Sequence, residues 1–336
     1  METIKTIIGR FPVLLAALAT CCTSVNSQDW KLIEFPSYDH LTDIVMITAD
    51  SGLVVTASGY CFRTSDRGKS WQKSVIIKNI RMESLYFENS QNGWACGHLG
   101  SIFKTSDGGS SWNDVSFDDI GAIFFDMEMK DSLTGVAVGM QPLESNSFNG
   151  IAVRTVDGGK NWEKFEASGL AYSEIKQSRS KNKMYFMAIG RLNISNDDGK
   201  SWQSVATLEG TPARTFSMYG STGIMAGPKG TCGYSNDSGK TWYSKKQDDK
   251  KSFMSSILLN SLYGYIAGSK GAMMVTIDGG INWAEEETPL ELTILDMCFV
   301  DSYLFAVGSD GLIMYKEITD EKPKDYLSLV FQLVFH

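Results

Sequence analysis

The chain has 336 residues, 43% of them hydrophobic and 21% charged, enough apolar material for one closed fold or two domains. Its 39 acidic and 31 basic residues give a formal net charge of −8, which argues against phosphate-driven nucleic-acid binding, since that needs clustered Lys and Arg. Three histidines and six scattered cysteines argue against a multi-ligand metal site, and seven prolines with no Pro- or Ser-rich run argue against a long disordered region.

Residues 1–21 read as a signal peptide. Lys5 and Arg10 form a basic start, and Val13–Ala19 is an apolar stretch too short to span a bilayer. Leu18-Ala19-Thr20-Cys21 resembles the lipobox of bacterial lipoproteins, in which Cys21 becomes the lipidated N-terminus. The alternatives are plain secretion after cleavage near Ala19 and an unprocessed segment. The expected location is therefore the cell envelope, or a secreted or periplasmic one. Export permits disulfides, but Cys61, Cys96, Cys232 and Cys298 lack paired spacing. They read as buried free thiols, with a Cys61–Cys96 bridge as the alternative.

From residue 28 the chain repeats. Thr64-Ser-Asp66-Arg-Gly68-Lys-Ser70-Trp71 recurs around Asp107 and Trp112, Asp157 and Trp162, Asp197 and Trp202, Asp237 and Trp242, and Asp278 and Trp283. The aspartates lie 41, 50, 40, 40 and 41 residues apart. As a hairpin turn the pattern makes physical sense. The carboxylate accepts backbone N–H bonds, the glycine takes positive φ, the hydroxyls bond the backbone, and the Trp covers the turn against the next unit. Each role is structural.

Between turns lie four short strand-like runs per repeat, as in Met82–Glu88, Gly93–Gly97, Ser101–Thr105 and Ser111–Val115. Four strands in about 40 residues make a propeller blade. A Gly-x-x-Gly turn between the second and third strands recurs at Gly97, Gly227, Gly268 and Gly308. The seventh repeat supplies only three strands, Ile294–Val300, Tyr303–Gly308 and Gly311–Tyr315. Asp29–Phe35, with Trp30 in the box Trp position, is expected to supply the fourth. The fold class is therefore all-β: a seven-bladed β-propeller of four-stranded antiparallel blades over residues 28–317, closed by the N-terminal strand. Residues 318–336 form a C-terminal tail. Its Tyr326–Phe335 run is a competing closer, ranked below because it lacks the Trp, and is otherwise an add-on strand or docking segment.

The turn pattern resembles the Asp-box, or BNR repeat. Gly93–Trp112 resembles the repeat of the photosystem II assembly/stability factor family of seven-bladed propellers. That resemblance implies a non-enzymatic protein-binding role, and the lipobox suggests an envelope protein. Asp-boxes also occur in sialidases, which makes glycosidase the rival. Its carboxylate-binding arginines would be Arg81, Arg191 and Arg214, with Tyr172 and Glu174 as partners. No Phe/Tyr-Arg-Ile/Leu-Pro motif precedes the first box, and Gly9-Arg-Phe-Pro12 lies in the signal with the wrong order.

The binding face should be the one opposite the boxes. Candidate residues there are Arg81, His98, Glu144, Phe148, Tyr172, Glu174, Arg191, Arg214, Lys229 and Lys270. Glu144 and Phe148 belong to an insertion in blade 3, Gln141–Asn149, expected as a loop over that face. No phosphate loop, metal motif or nucleophile elbow occurs. The reading is a monomer without cofactor that binds a protein partner, or alternatively a glycan. It touches the membrane only through its lipid.

Overall fold

The computed structural model describes residues 29–318, apart from 144–146, 166–171, 179–182, 189–190 and 206–212. They form seven four-stranded antiparallel sheets, six of them blades with strands A to D in chain order and the seventh completed by the first strand of the chain's described part. Blade 2 is representative: A is Met82–Phe87, B Gly93–Gly97, C Ile102–Thr105 and D Asn113–Asp114. B strands such as Gly93–Gly97 and Gly264–Gly268 are buried along their whole length, so they read as continuous small and apolar runs without alternation. The D strands are short and mostly exposed.

The six box turns share one geometry. In the first, Thr64 Oγ1 donates to Asp66 Oδ1 at 2.8 Å, and the Gly68 N–H donates to Thr64 Oγ1 at 2.8 Å. The Ser70 N–H and hydroxyl donate to the two Asp66 oxygens at 2.9 and 2.6 Å. Asp107, Asp157, Asp197, Asp237 and Asp278 repeat this, with Asn161 and Asn282 in the serine role. Each turn sits beside its own blade's A–B turn, as in the Gly108 N–H bonded to Gln91 O and the Gly158 N–H to Leu133 O. This defines a box face. The Trp side chains pack the other way from expectation. Trp112 of blade 2 joins Leu53, Val55 and Cys61 of blade 1, and Trp71 of blade 1 joins Phe305, Val307 and Ile313 of blade 7. Each box thus closes on the preceding blade, because its turn reaches back over that blade's core.

The opposite, loop face is built by B–C turns and D–A connections. The second glycine of each Gly-x-x-Gly turn donates its N–H into the connection that follows: Gly100 to Ala122 O, Gly230 to Lys251 O, Gly271 to Leu292 O and Gly311 to Asp39 O. Gly100 has φ +69°, and a Cβ there would lie 2.5 Å from Asp119 O, so a side chain is excluded. The two ends of the blade 3 insertion continue its B and C strands as a hairpin. Strands B and C run Gly135–Pro142 and Phe148–Thr155 and pair as far as Pro142↔Phe148, which gives its backbone groups ladder partners.

The N-terminal strand closes the ring. Lys31 pairs with Tyr315 and Leu32 with Met314, completing blade 7 after strands Ile294–Val300, Tyr303–Gly308 and Ile313–Glu317. Trp30 is buried in the blade 6–7 core with Leu304 and Met314. The competing closer Tyr326–Phe335 and the Cys21 segment lie outside the described residues. Cys61, Cys96, Cys232 and Cys298 are free thiols.

Candidate functional site

A cavity of about 290 Å³ opens at the loop-face end of the ring axis. Its wall comes from the first residues of the A strands. Six of these strands carry a bulge there, between Leu41/Asp43, Met82/Ser84, Phe124/Asp126, Tyr172/Glu174, Phe253/Ser255 and Ile294/Asp296. The residue after the bulge is Asp43, Ser84, Asp126, Glu174, Ser255 or Asp296. Thr215, opposite Ala226, fills the matching register in blade 5. Each blade therefore places one carboxylate or hydroxyl at the same height around the axis.

These groups latch every seam between blades. Asp43 Oδ2 accepts from the Leu85 N–H at 2.6 Å, Asp126 Oδ2 from Ile175 at 2.9 Å, Glu174 Oε2 from Phe216 at 2.7 Å and Asp296 Oδ2 from Ile44 at 3.4 Å. Ser84 donates to Asp126 at 2.8 Å and Ser255 to Asp296 at 3.2 Å, while Thr215 bonds Ser256 at 2.9 Å. Lys176 Nζ lies 3.3 Å from Glu174 Oε1 and 3.5 Å from Asp126 Oδ2. Burial raises Asp126 and Glu174 above the usual carboxylate range, opposed by Lys176. Burial, reinforced by adjacent Asp43, pushes Asp296 well above it. Burial alone would lower the Lys176 ammonium, but Asp126 and Glu174 outweigh it and hold it well above its ordinary value. The ring is thus a scaffold of satisfied polar groups.

At the mouth, Glu83 Oε1 accepts from Arg81 Nε at 2.6 Å and lies 2.9 Å from His98 Nε2. Arg214 is exposed on the same wall, with no ion pair among the described residues. Phe125, Met140, Met254 and Leu295 add apolar surface. Among the described residues, no three His, Cys, Asp or Glu side chains are grouped to hold a metal ion.

Of the residues singled out from the sequence, Arg81, Glu174 and Arg214 line this cavity, and His98 reaches it through Glu83. Arg191 is exposed at the start of its strand but does not line it. Tyr172 corrects the expectation outright. It is 1% exposed and packs on Phe186 at a ring separation of 4.7 Å, because it precedes the bulge and points into the blade core. Its ring also fills the space beside Gly150. The sialidase constellation of three arginines with a Tyr–Glu pair is therefore not assembled. Phe148 is 45% exposed on the blade 3 hairpin. Lys229 and Lys270 are exposed tips of the Gly-x-x-Gly turns of blades 5 and 6, with φ +55° and +53°. Glu144 lies outside the described residues. Sequence reasoning missed the A-strand ring, whose signal is a polar residue at the third or fourth position of six A strands and at the first position of the blade 5 strand Thr215–Tyr219.

Seven four-stranded blades, box turns on one face and an axial cavity on the other define an Asp-box β-propeller. It resembles the photosystem II assembly factor family. The model of that family, described as photosynthesis system II assembly factor YCF48, matches residues 22–163, somewhat less than half of the chain. The photosystem II assembly lipoprotein Ycf48 of Synechococcus sp. (strain CC9902) is 22% identical over 325 residues, covering 90% of this chain and 92% of its own. That of Prochlorococcus marinus (strain SARG) is 26% identical over 209 residues, covering 57% and 58%. Among solved structures, YCF48 bound to a D1 peptide superposes with a TM-score of 0.73 at 19% identity, covering 90% of this chain and all of that one. YCF48 from Cyanidioschyzon merolae gives 0.68 at 15%, covering 86% and 98%. At these identities the structural likeness shows the fold.

Proposed function

We propose that this protein is a non-catalytic, exported propeller that holds a segment of a partner protein on its loop face, as an assembly factor or scaffold does. The observation that carries this reading is the composition of the axial cavity. Its ring carboxylates are committed to seam hydrogen bonds, so no acid–base pair is left poised for chemistry. Arg214, without an ion pair among the described residues, and the apolar side chains of Phe125, Met140, Met254 and Leu295 remain available for contact. The likeness to assembly factors, one of them solved with a bound peptide, supports the same reading. A glycan site would favour several aromatic platforms, and Phe125 is the one aromatic among the described residues lining the cavity.

Export with lipidation at Cys21 and a monomeric state complete the proposal. The lipobox-like Leu18–Cys21 supports the anchor, as do two relatives named as lipoproteins. Full-length tagged protein and its Arg214→Glu/Met254→Lys variant should be used as paired baits with quantitative mass spectrometry. A partner enriched by the wild type and lost from the variant is expected. Equal recovery by both, or no enrichment, overturns the reading. Labelled fatty-acid incorporation abolished by Cys21→Ser tests the anchor.

A further inference from the structure

We propose that Leu99 and Ile120 form the apolar anchor point of the loop face, and that the partner segment docking there carries an apolar side chain next to a Lys or Arg. This rests on the protein-binding reading above and adds the chemistry of the partner.

Leu99 occupies the third position of the Gly97–Gly100 turn with φ +59° and is 51% exposed. The same position holds Lys229, Lys270 and Asp310 in blades 5, 6 and 7, all at left-handed φ. A large apolar residue that is both solvated and in the left-handed region gains nothing for folding. Only blade 2 has one among these four turns. Ile120, in the next D–A connection, is 82% exposed. The two segments are locked together by the Gly100 N–H on Ala122 O at 2.7 Å and the Phe117 N–H on Gly100 O at 3.1 Å. The platform is thus preorganised, which lowers the cost of binding. It is continuous with the cavity mouth, because His98, adjacent to Leu99, contacts Glu83 on the wall.

The rim of this patch is acidic. Asp118 is exposed and has no ion pair or hydrogen bond among the described residues. Asp119 accepts from Gln141 at 2.5 Å. Of the cations nearby, Arg81 is paired with Glu83, and Lys164 donates to the neutral Gln141 amide. An apolar residue flanked by a cation therefore fits, and an anionic bilayer does not.

The test is selection of a random peptide library displayed on phage against the full-length protein. Selected peptides should share an apolar residue adjacent to Lys or Arg. Their affinity should fall at least about tenfold with Leu99→Lys or Ile120→Ser and be unchanged by Lys240→Ala on the opposite, box face. Both lesions are exposed, and Leu99→Lys installs the residue that blades 5 and 6 already carry there, so circular dichroism and urea midpoints should stay at wild-type values. Acidic selected peptides, no selected peptides, or peptides that bind both variants at full strength overturn the anchor. Flotation of the wild type but not Leu99→Lys with phosphatidylglycerol/phosphatidylethanolamine vesicles also overturns it, in favour of a membrane. The partner capture described above judges the broader reading separately.

Discussion

Lys316 Nζ donates to Glu286 Oε1 at 2.7 Å, and both side chains are almost fully out of solvent. The same carboxylate oxygen accepts from Trp30 Nε1 at 3.1 Å. Three segments meet there: the closing N-terminal strand, the outer strand of blade 6 and the third strand of blade 7. Removing one partner strands a buried charge, which costs about 3–5 kcal/mol, whereas an exposed pair contributes about 0–1 kcal/mol. Glu286→Ala should lower stability by the former amount in urea titrations. Glu285→Ala, which removes a 74%-exposed carboxylate paired with Lys251, should stay within the latter.

Acid should unlock the boxes. Asp66, Asp107, Asp157, Asp197 and Asp237 are held at about 2, against an ordinary 3.8, first by the hydroxyl or amide four residues on and then by that residue's N–H. A depressed folded-state pKa contributes stability above the unfolded value and loses it as pH falls through the folded one. Urea midpoints should therefore drop between pH 4 and pH 2. An Asp107→Asn/Asp197→Asn variant should start lower and show a shallower drop. An identical slope in the variant would assign the acid transition elsewhere.

The axial ring should respond with the opposite sign. Asp126, Glu174 and Asp296 are raised, chiefly by burial. A raised carboxyl pKa contributes stability below the unfolded value, near 3.8 to 4.5, and loses it as pH climbs through the folded value. Asp296→Asn keeps an oxygen for the Ile44 N–H and removes the charge beside Asp43. Its urea midpoint, relative to wild type, should improve as pH rises above about 4, the unfolded value of the carboxyl. A constant difference would refute the account.

Asn193 is 1% exposed, and its Nδ2 has no hydrogen-bond partner among the described residues. The same register holds Phe103 in blade 2 and Val153 in blade 3. Asn193→Val should stabilise the protein by about 1–2 kcal/mol, the desolvation cost of an orphaned amide. Differential scanning calorimetry on the pair is sufficient to check it.

The thiols should be silent. Burial pushes Cys61, Cys232 and Cys298 up to about 12 and Cys96 well above its ordinary value. Ellman's reagent should find none of these four in the native protein at pH 8 and all four in guanidinium.

The repeat was legible because each box needs the same Asp, Gly and hydroxyl to close the same turn, and Trp30 exposed the closing strand by standing where a box Trp stands. What was not legible followed from bulges and from direction. Tyr172 and Glu174 are two residues apart, which in a regular strand would put them on one side. The bulge between them sends the tyrosine into the core and the glutamate to the axis. The same shift hid the ring from Asp43 to Asp296, since its members differ in chemistry and match only in register. The backward packing of Trp112 on Leu53 depends on how blades stack, which no single repeat encodes.

Because Leu32 finds its place beside Met314, a strand synthesised early has to wait for one synthesised about 280 residues later. Until then blade 7 has an open edge, and the blade 1 box Trp lacks part of the surface it covers. Assembly should therefore end in a single clasp, in which a cut near either end frees both. A force applied at the N-terminus would be borne by two backbone pairs and one indole, making this the weakest mechanical point of the closed ring of blades.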